Sequence, residues 1–238
     1  MTEYEKQVLD IDEVAMRKKL KSIGCKKIHD AKMFRRNVFH LSDKEANGFA
    51  RVRDEGSHVS MTTKIQRPNK KYPDESEITV NADFEQASDF LESTGLEQKS
   101  FQETIREKYS HPLAHEITID HVPGLPTYME IDCTSEENLN KLIKLLDIDN
   151  SKTTVGSFDK QFVSYYDIPK DEFLKIKKLT FRNVRNQVFP KKNKELFAKV
   201  VAAYKESYLK KTQRPFKKTA KKRCKNGTRK KCVPKTAE

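Results

Sequence analysis

Pairs of like charges two residues apart recur along this chain, each out of phase with an apolar pair. In an extended EYEKQV, Glu3, Glu5 and Gln7 share one face, because strand side chains alternate. ESEITV repeats the pattern with Glu75 and Glu77, and YMEIDC does so with Glu130 and Asp132. Other segments carry the opposite sign. GFARVRDEG sets Arg51 and Arg53 against Ala50 and Val52, and HVSMTTKIQ sets Thr62 and Lys64 against Met61 and Ile65. ETIREKY sets Thr104, Arg106 and Lys108 against Ile105 and Tyr109, and HEITIDHV sets Glu116, Thr118 and Asp120 against Ile117 and Ile119. The spacing predicts several antiparallel strands that share one charged and one apolar face.

Three segments read as amphipathic helices, each after a strand with an acidic pair. Asp12 caps the first, which runs through Ser22 with Val14, Met16, Leu20 and Ile23 apolar and Gly24 as the stop. Asp83 and Gln86 form a capping box for the second, with Phe84, Ala87, Phe90 and Leu91 on its apolar face. Ser135 caps the third, with Leu139, Leu142, Ile143 and Leu146 on one side. RPNKKYPDE and VPGLPT read as loops.

Two arrangements satisfy such strands. The charged face is wet and the sheet open, or the sheet closes with its charges inward. A closed interior holding both signs is costly unless the charges pair or an ionic ligand fills it. The segregation of signs gives the second arrangement a chemistry. Arginines at i and i+2 present donor forks that match phosphate oxygens. Clustered carboxylates suit Mg²⁺ or Mn²⁺, which bind oxygen and bridge to phosphates. A polyphosphate with a divalent ion satisfies both sets; the open sheet remains the alternative on spacing alone.

The bulk numbers bound the rest. The 238 residues suffice for one sizeable core plus an appendage. The formal charge of +13 is uneven: residues 210–235 hold 13 Lys or Arg and no acid, so the body is near neutral. That tail is expected to be disordered and to meet nucleic acid through phosphates, without sequence readout, or else to serve as a localisation signal or a simple solubility tail. No apolar run of about 18 residues predicts a membrane span, and the start shows no secretory pattern. An intracellular chain, cytoplasmic or nuclear, is expected. Cys25, Cys133, Cys224 and Cys232 form no Cys-x-x-Cys pair, so inert thiols are expected rather than disulfides or zinc. The six histidines show no ligand spacing and are expected at the surface or in turns. Between Pro169 and Leu209 the chain reads as helical, with Leu196, Val200, Val201, Tyr204 and Tyr208 apolar.

Taken in order, EYEKQV, RVRDEG, MTTK, ESEITV, REKY and ITIDHVPGLPTYMEID resemble the CYTH family of triphosphate tunnel metalloenzymes over residues 1–168. The resemblance implies an α+β fold, an eight-stranded antiparallel β-barrel with a charged interior flanked by amphipathic helices. Residues 169–209 then form a helical extension and 210–238 the basic tail. It further implies metal-dependent hydrolysis of inorganic, nucleoside or thiamine triphosphate. The alternatives are a class IV adenylyl cyclase, an RNA 5′-triphosphatase, or a weakened phosphate- or RNA-binding module. By position, Glu3, Glu5, Glu130 and Asp132 would bind Mg²⁺ or Mn²⁺, with Asp120 supporting. Arg51, Arg53, Lys64 and Arg106 would hold phosphates, and Glu3, Glu5, Lys64 and Glu130 would carry catalysis. Glu75 and Glu77 would bind a second metal or pair the basic residues, and Lys160 loosely matches a C-terminal Lys-and-Tyr segment. Three positions depart from the pattern: Gln7 and Thr104 stand where lysines are usual, and Asp132 where glutamate is.

Overall fold

The computed structural model describes residues 4–43, 45–156 and 158–207, with side chains through residue 204. Glu3 and the basic tail, and with them the expectations placed there, lie outside the described residues. Eight main strands fall into groups of one, four and three, each group followed by a helix: β1 (Tyr4–Val8), β2 (Lys26–Phe39), β3 (Gly48–Asp54), β4 (Val59–Ile65), β5 (Asp74–Val80), β6 (Gln98–His111), β7 (Ala114–His121) and β8 (Tyr128–Cys133). Two short strands, β9 (Thr153–Thr154) and β10 (Lys178–Leu179), complete one sheet. Its order is β5-β4-β3-β2-β6-β7-β8-β1-β9, with β10 added parallel to β6; the other ladders are antiparallel. Strand β2 carries register shifts between Lys27 and His29, His29 and Lys32, and Val38 and Phe39. Such irregularities bend a strand and increase its twist, which curls the sheet.

The expected charged concave face and helix-covered convex face are both present. The hydrogen-bonded path, however, does not join its two ends among the described residues. β5 is one margin, and β9 covers only Gln7 and Val8 of β1 at the other. Side chains bridge the seam instead. Lys64 on β4 reaches Glu5 on β1 at 3.0 Å, Tyr72 packs against Tyr4 with ring centroids 5.2 Å apart, and Lys71 pairs with Glu136.

The three expected helices form where their caps place them. Asp12 accepts from the Val14 and Ala15 amides at the start of α1 (Glu13–Ser22). Asp83 and Gln86 complete the capping box of α2 (Phe84–Ser93), and Ser135 caps α3 (Glu136–Leu145). Helices α1 and α3 bury Met16, Leu20, Leu139, Leu142 and Ile143 against Ile117, Ile119, Met129 and Ile131 of β7 and β8. Helix α2 lays Phe84 and Ala87 on Ala50 and Val52 of β3. Val14 and Phe90, assigned to apolar faces by periodicity, are exposed, since each sits at the margin of a stripe narrower than its helix. His121 corrects another expectation: it is buried on the convex face, its Nδ1 3.1 Å from Thr127 Oγ1, and burial pushes its imidazole down to about 4. Cys133 is buried and unbridged, as a small apolar side chain would be. No helix among the described residues is long and apolar enough to cross a membrane.

The chain then turns back across one end of the curled sheet as α4 (Asp159–Tyr166), α5 (Lys170–Leu174) and α6 (Lys194–Ser207). Phe162, Tyr166, Phe173, Phe189 and Val201 join Val122, Leu125 and Tyr128 in one apolar cluster that runs across residue 168. Two buried hydroxyls fasten this cluster to the β7–β8 turn: Tyr166 donates to the Gly124 carbonyl, and Tyr204 to those of Val122 and Leu125. Gly124 has φ +93°, and a Cβ there would lie 2.5 Å from Phe189 Cε2. Both the backbone and the space therefore require glycine. Gly124→Ala is expected to lower stability by about 2 kcal/mol or more, read by urea denaturation; an unchanged midpoint would show that the ring yields freely.

Candidate functional site

The concave face encloses a cavity of about 780 Å³. Strand register sorts its side chains into rows. Glu116, Asp132 and Glu5 lie directly opposite one another across β7, β8 and β1, a row of three carboxylates. The next row is Lys108, Thr118, Glu130 and Gln7, and the third is Arg106, Asp120 and Tyr128. On the other side of the cavity, Arg36 of β2 stands opposite Arg53 of β3, with Arg51 two residues away on the same face.

The basic side is crowded and incompletely satisfied. Arg51 Nη2 donates to Thr62 Oγ1 at 3.0 Å and to Glu77 Oε2 at 3.2 Å. Arg53 Nη2 shares Glu77 at 3.4 Å and meets Glu55 Oε1 at 2.6 Å. The Nε atoms of both arginines are buried with no hydrogen-bond partner. Arg36 donates from Nε to Gln102 Oε1 at 2.8 Å and lies 4.9 Å from the Phe158 ring centroid. Burial, then repulsion from Arg51, pushes its guanidinium down to about 9. Burial and the neighbouring Arg53 likewise lower Arg51. Glu75 lies 3.6 Å from Arg51 and 3.4 Å from Lys64. Of the two roles the sequence left open for Glu75 and Glu77, this geometry is that of pairing the basic residues.

The acidic side is organised chiefly by Arg106, with Lys108 on Glu116 and Lys64 on Glu5. Arg106 forks onto Asp120 through Nε and Nη2 at 2.7 Å each, and reaches Glu130 Oε2 at 2.6 Å and Glu116 Oε1 at 3.2 Å. Burial works against the Glu116 charge, but Arg106 and Lys108 outweigh it and hold that carboxyl down at about 2. Asp132 has only the lesser pull of Lys64. Its Oδ1 is buried without a partner, and burial, Glu116 and Glu5 push its carboxyl up to about 7. Burial also raises Glu5, against the pull of Lys64.

The structure brings most of the expected residues together. Glu5, Arg51, Arg53, Lys64, Glu75, Glu77, Arg106, Glu130, Asp132 and Lys160 all line the cavity. Two of them stand differently from expectation. Asp120 lies behind Arg106, outside the cavity lining, so it faces a guanidinium rather than the acidic row. Arg106 is engaged by three carboxylates, where a phosphate-binding role needs open donors. Lys160 donates to the Val155 carbonyl at 2.9 Å. Glu116 and Arg36 were absent from the expected set. The i, i+4 spacing of Glu116 and Asp120 was a usable signal for the first, whereas nothing in the β2 sequence marks Arg36 as inward.

Among the described residues, no three His, Cys, Asp or Glu side chains form a ready metal cluster. The donor chemistry nonetheless fits a hard divalent ion: the row of Glu5, Asp132 and Glu116 is all oxygen and contains an orphaned, buried carboxylate oxygen.

No family model and no curated protein matches the chain. Solved structures do. A candidate adenylate cyclase from Vibrio parahaemolyticus superposes with a TM-score of 0.57 at 13% identity, over 67% of this chain and 97% of that one. A conserved hypothetical protein from Pyrococcus furiosus gives 0.53 at 16% identity, over 64% and 95%. A Pyrococcus horikoshii protein gives 0.52 at 20% identity, over 68% and 98%. At these identities the likeness is one of fold. The chain has the α+β curled-sheet fold of these proteins, in keeping with the CYTH-like architecture that its ordered motifs resemble.

Proposed function

We propose that this chain hydrolyses a triphosphate inside the cavity with the help of Mg²⁺ or Mn²⁺. One observation carries the reading: buried arginine Nε donors without partners face, across one cavity, a carboxylate row with an oxygen that also lacks one. A polyanion with a divalent cation completes both sides. Cleavage of a terminal phosphate needs neutralised oxygens and an in-line water, and little covalent chemistry from the protein. Arg51, Arg53 and Arg36 bind the phosphate oxygens, with Glu77 giving way to them. Lys64 lies between the two sides, against Glu5 and Glu75, and orients the phosphate chain. Glu5, Asp132 and Glu116, with Glu130 in the next row and Glu3 outside the described residues, would hold the divalent ion, which would supply charge neutralisation to the phosphate oxygens. Asp120 supports by fixing Arg106.

The second reading is cyclic nucleotide formation, in which a ribose 3′-hydroxyl attacks in place of water. The fold shared with the Vibrio candidate cyclase supports it. An RNA 5′-triphosphate is a further candidate substrate, for which the 13 basic residues of 210–235 offer phosphate contacts. A binding module without turnover is the alternative that Gln7 and Thr104 motivate. Incubation with tripolyphosphate, ATP, thiamine triphosphate and triphosphorylated RNA, each with Mg²⁺ or Mn²⁺, is expected to release phosphate from at least one. Cyclic AMP would establish the second reading, and no product from any would leave only binding.

Variants separate the two sides of the cavity. Arg51→Met is expected to raise KM for the cleaved triphosphate about tenfold, since one charge-assisted phosphate contact is lost; an unchanged KM would remove Arg51 from substrate binding. Asp132→Asn is expected to cut turnover on the order of 100-fold, and undiminished turnover would take Asp132 out of the metal set.

The raised Asp132 carboxyl also sets a pH dependence of stability. It titrates near 7 in the folded chain, against about 3.9 unfolded, so between these values the folded state binds its proton more tightly. The stability it contributes is full below about pH 4 and is lost as pH rises through 7. Without divalent ions, Asp132→Asn should therefore melt above the wild type at pH 8, with a clearly smaller gap at pH 5 that closes only near pH 4. The same gap at both pH values would show that the carboxyl is not under this penalty.

A further inference from the structure

Gln7 of β1 is wired to helix α4. Gln7 Nε2 donates to Glu130 Oε1 at 2.9 Å, while Glu130 Oε2 accepts from Arg106 at 2.6 Å. The second link runs from Gln161 of α4, whose Nε2 donates to Gln7 Oε1 at 2.9 Å. Both glutamines are 2% exposed. The polarity of this chain of amides is forced from one end. The ionised Glu130 carboxylate only accepts, so Gln7 must turn its NH₂ toward it. Gln7 then presents its carbonyl oxygen to α4, where only a donor satisfies it. The Gln161 amide supplies that donor at a cost, since its own Oε1 is buried without a partner. An apolar side chain of the same shape would avoid that cost, so what the amide provides is the bond to Gln7.

We propose that Gln161 is a positioning residue. Acting through Gln7, it fixes the orientation of Glu130 in the carboxylate side of the cavity. Two neutral amides then do the orienting that a lysine at position 7 would do with charge, and Glu130 is left with Arg106 as its close cation. Helix α4 thereby reaches the carboxylate side of the cavity without contributing a catalytic group itself. This inference rests on the hydrolase reading, because the consequence of a misoriented Glu130 is read as turnover.

The test is a double-mutant cycle with near-isosteric, non-hydrogen-bonding replacements: Gln161→Met, Gln7→Met and both together, each shown by thermal melting to be folded, assayed on the triphosphate that the wild type cleaves best. Gln161→Met is expected to lower kcat about tenfold, in the range of other supporting-shell losses, with KM within twofold of wild type. The decisive result is the coupling. If Gln161 acts through Gln7, adding Gln161→Met to Gln7→Met changes kcat no further, whereas a merely structural role adds its loss in both backgrounds. Additive losses, or a Gln161→Met enzyme with wild-type kcat, overturn the proposal while leaving the hydrolase reading intact. A wild-type chain that cleaves no triphosphate overturns both. Should Gln161→Met fail to fold, Gln161→Leu in the same cycle gives the same two outcomes.

Discussion

The structure depends on burying both signs of charge on one concave surface. An unpaired charge taken out of water costs several kcal/mol, and pairing returns that only where geometry is good. The sheet meets this condition by strand order. β5 sets Glu75 and Glu77 beside the arginines of β3, and β6 inserts Arg106 among the acids of β7 and β8. Each side is thus given one strand of opposite sign. The pairing is incomplete in two places, the arginine Nε atoms and the Asp132 oxygen, and both border the same cavity.

Much of this was legible because the strand period is two and the apolar sets fall cleanly out of phase with the charges. Caps did the same for the helices: Asp12, Asp83 and Ser135 each mark a start with a side chain that satisfies a first-turn amide. Strand β2 was not legible. Its inner face mixes Phe34, Arg36 and Val38 while its outer face carries Arg35 and Asn37, so no alternation of polarity exists to read. Arg36 was missed for that reason.

The rows of the site were hidden for a different reason. Which residue of β7 faces which residue of β8 is fixed by backbone register, and a single slip reverses every side chain. Sequence puts Glu116, Glu5 and Asp132 on the charged faces of their strands, but does not show that they stand in line. The tie between Gln161 and Gln7 spans 154 positions, so no local pattern announces it. The likeness to the CYTH family could not supply it either, because Gln7 is where this chain leaves that pattern.

The seam between β5 and β1 sets the cavity apart from a ring of fully paired strands. In such a ring the bore is fixed by strand number and stagger. Here the two lips of the curl are spaced by the reach of the Lys64 stem to Glu5 and by the Tyr4–Tyr72 contact. Side-chain torsions, rather than peptide hydrogen bonds, are the gauge of the opening. The calibre of this chamber is therefore as adjustable as a few rotamers, on a sheet whose remaining seams are laced by backbone.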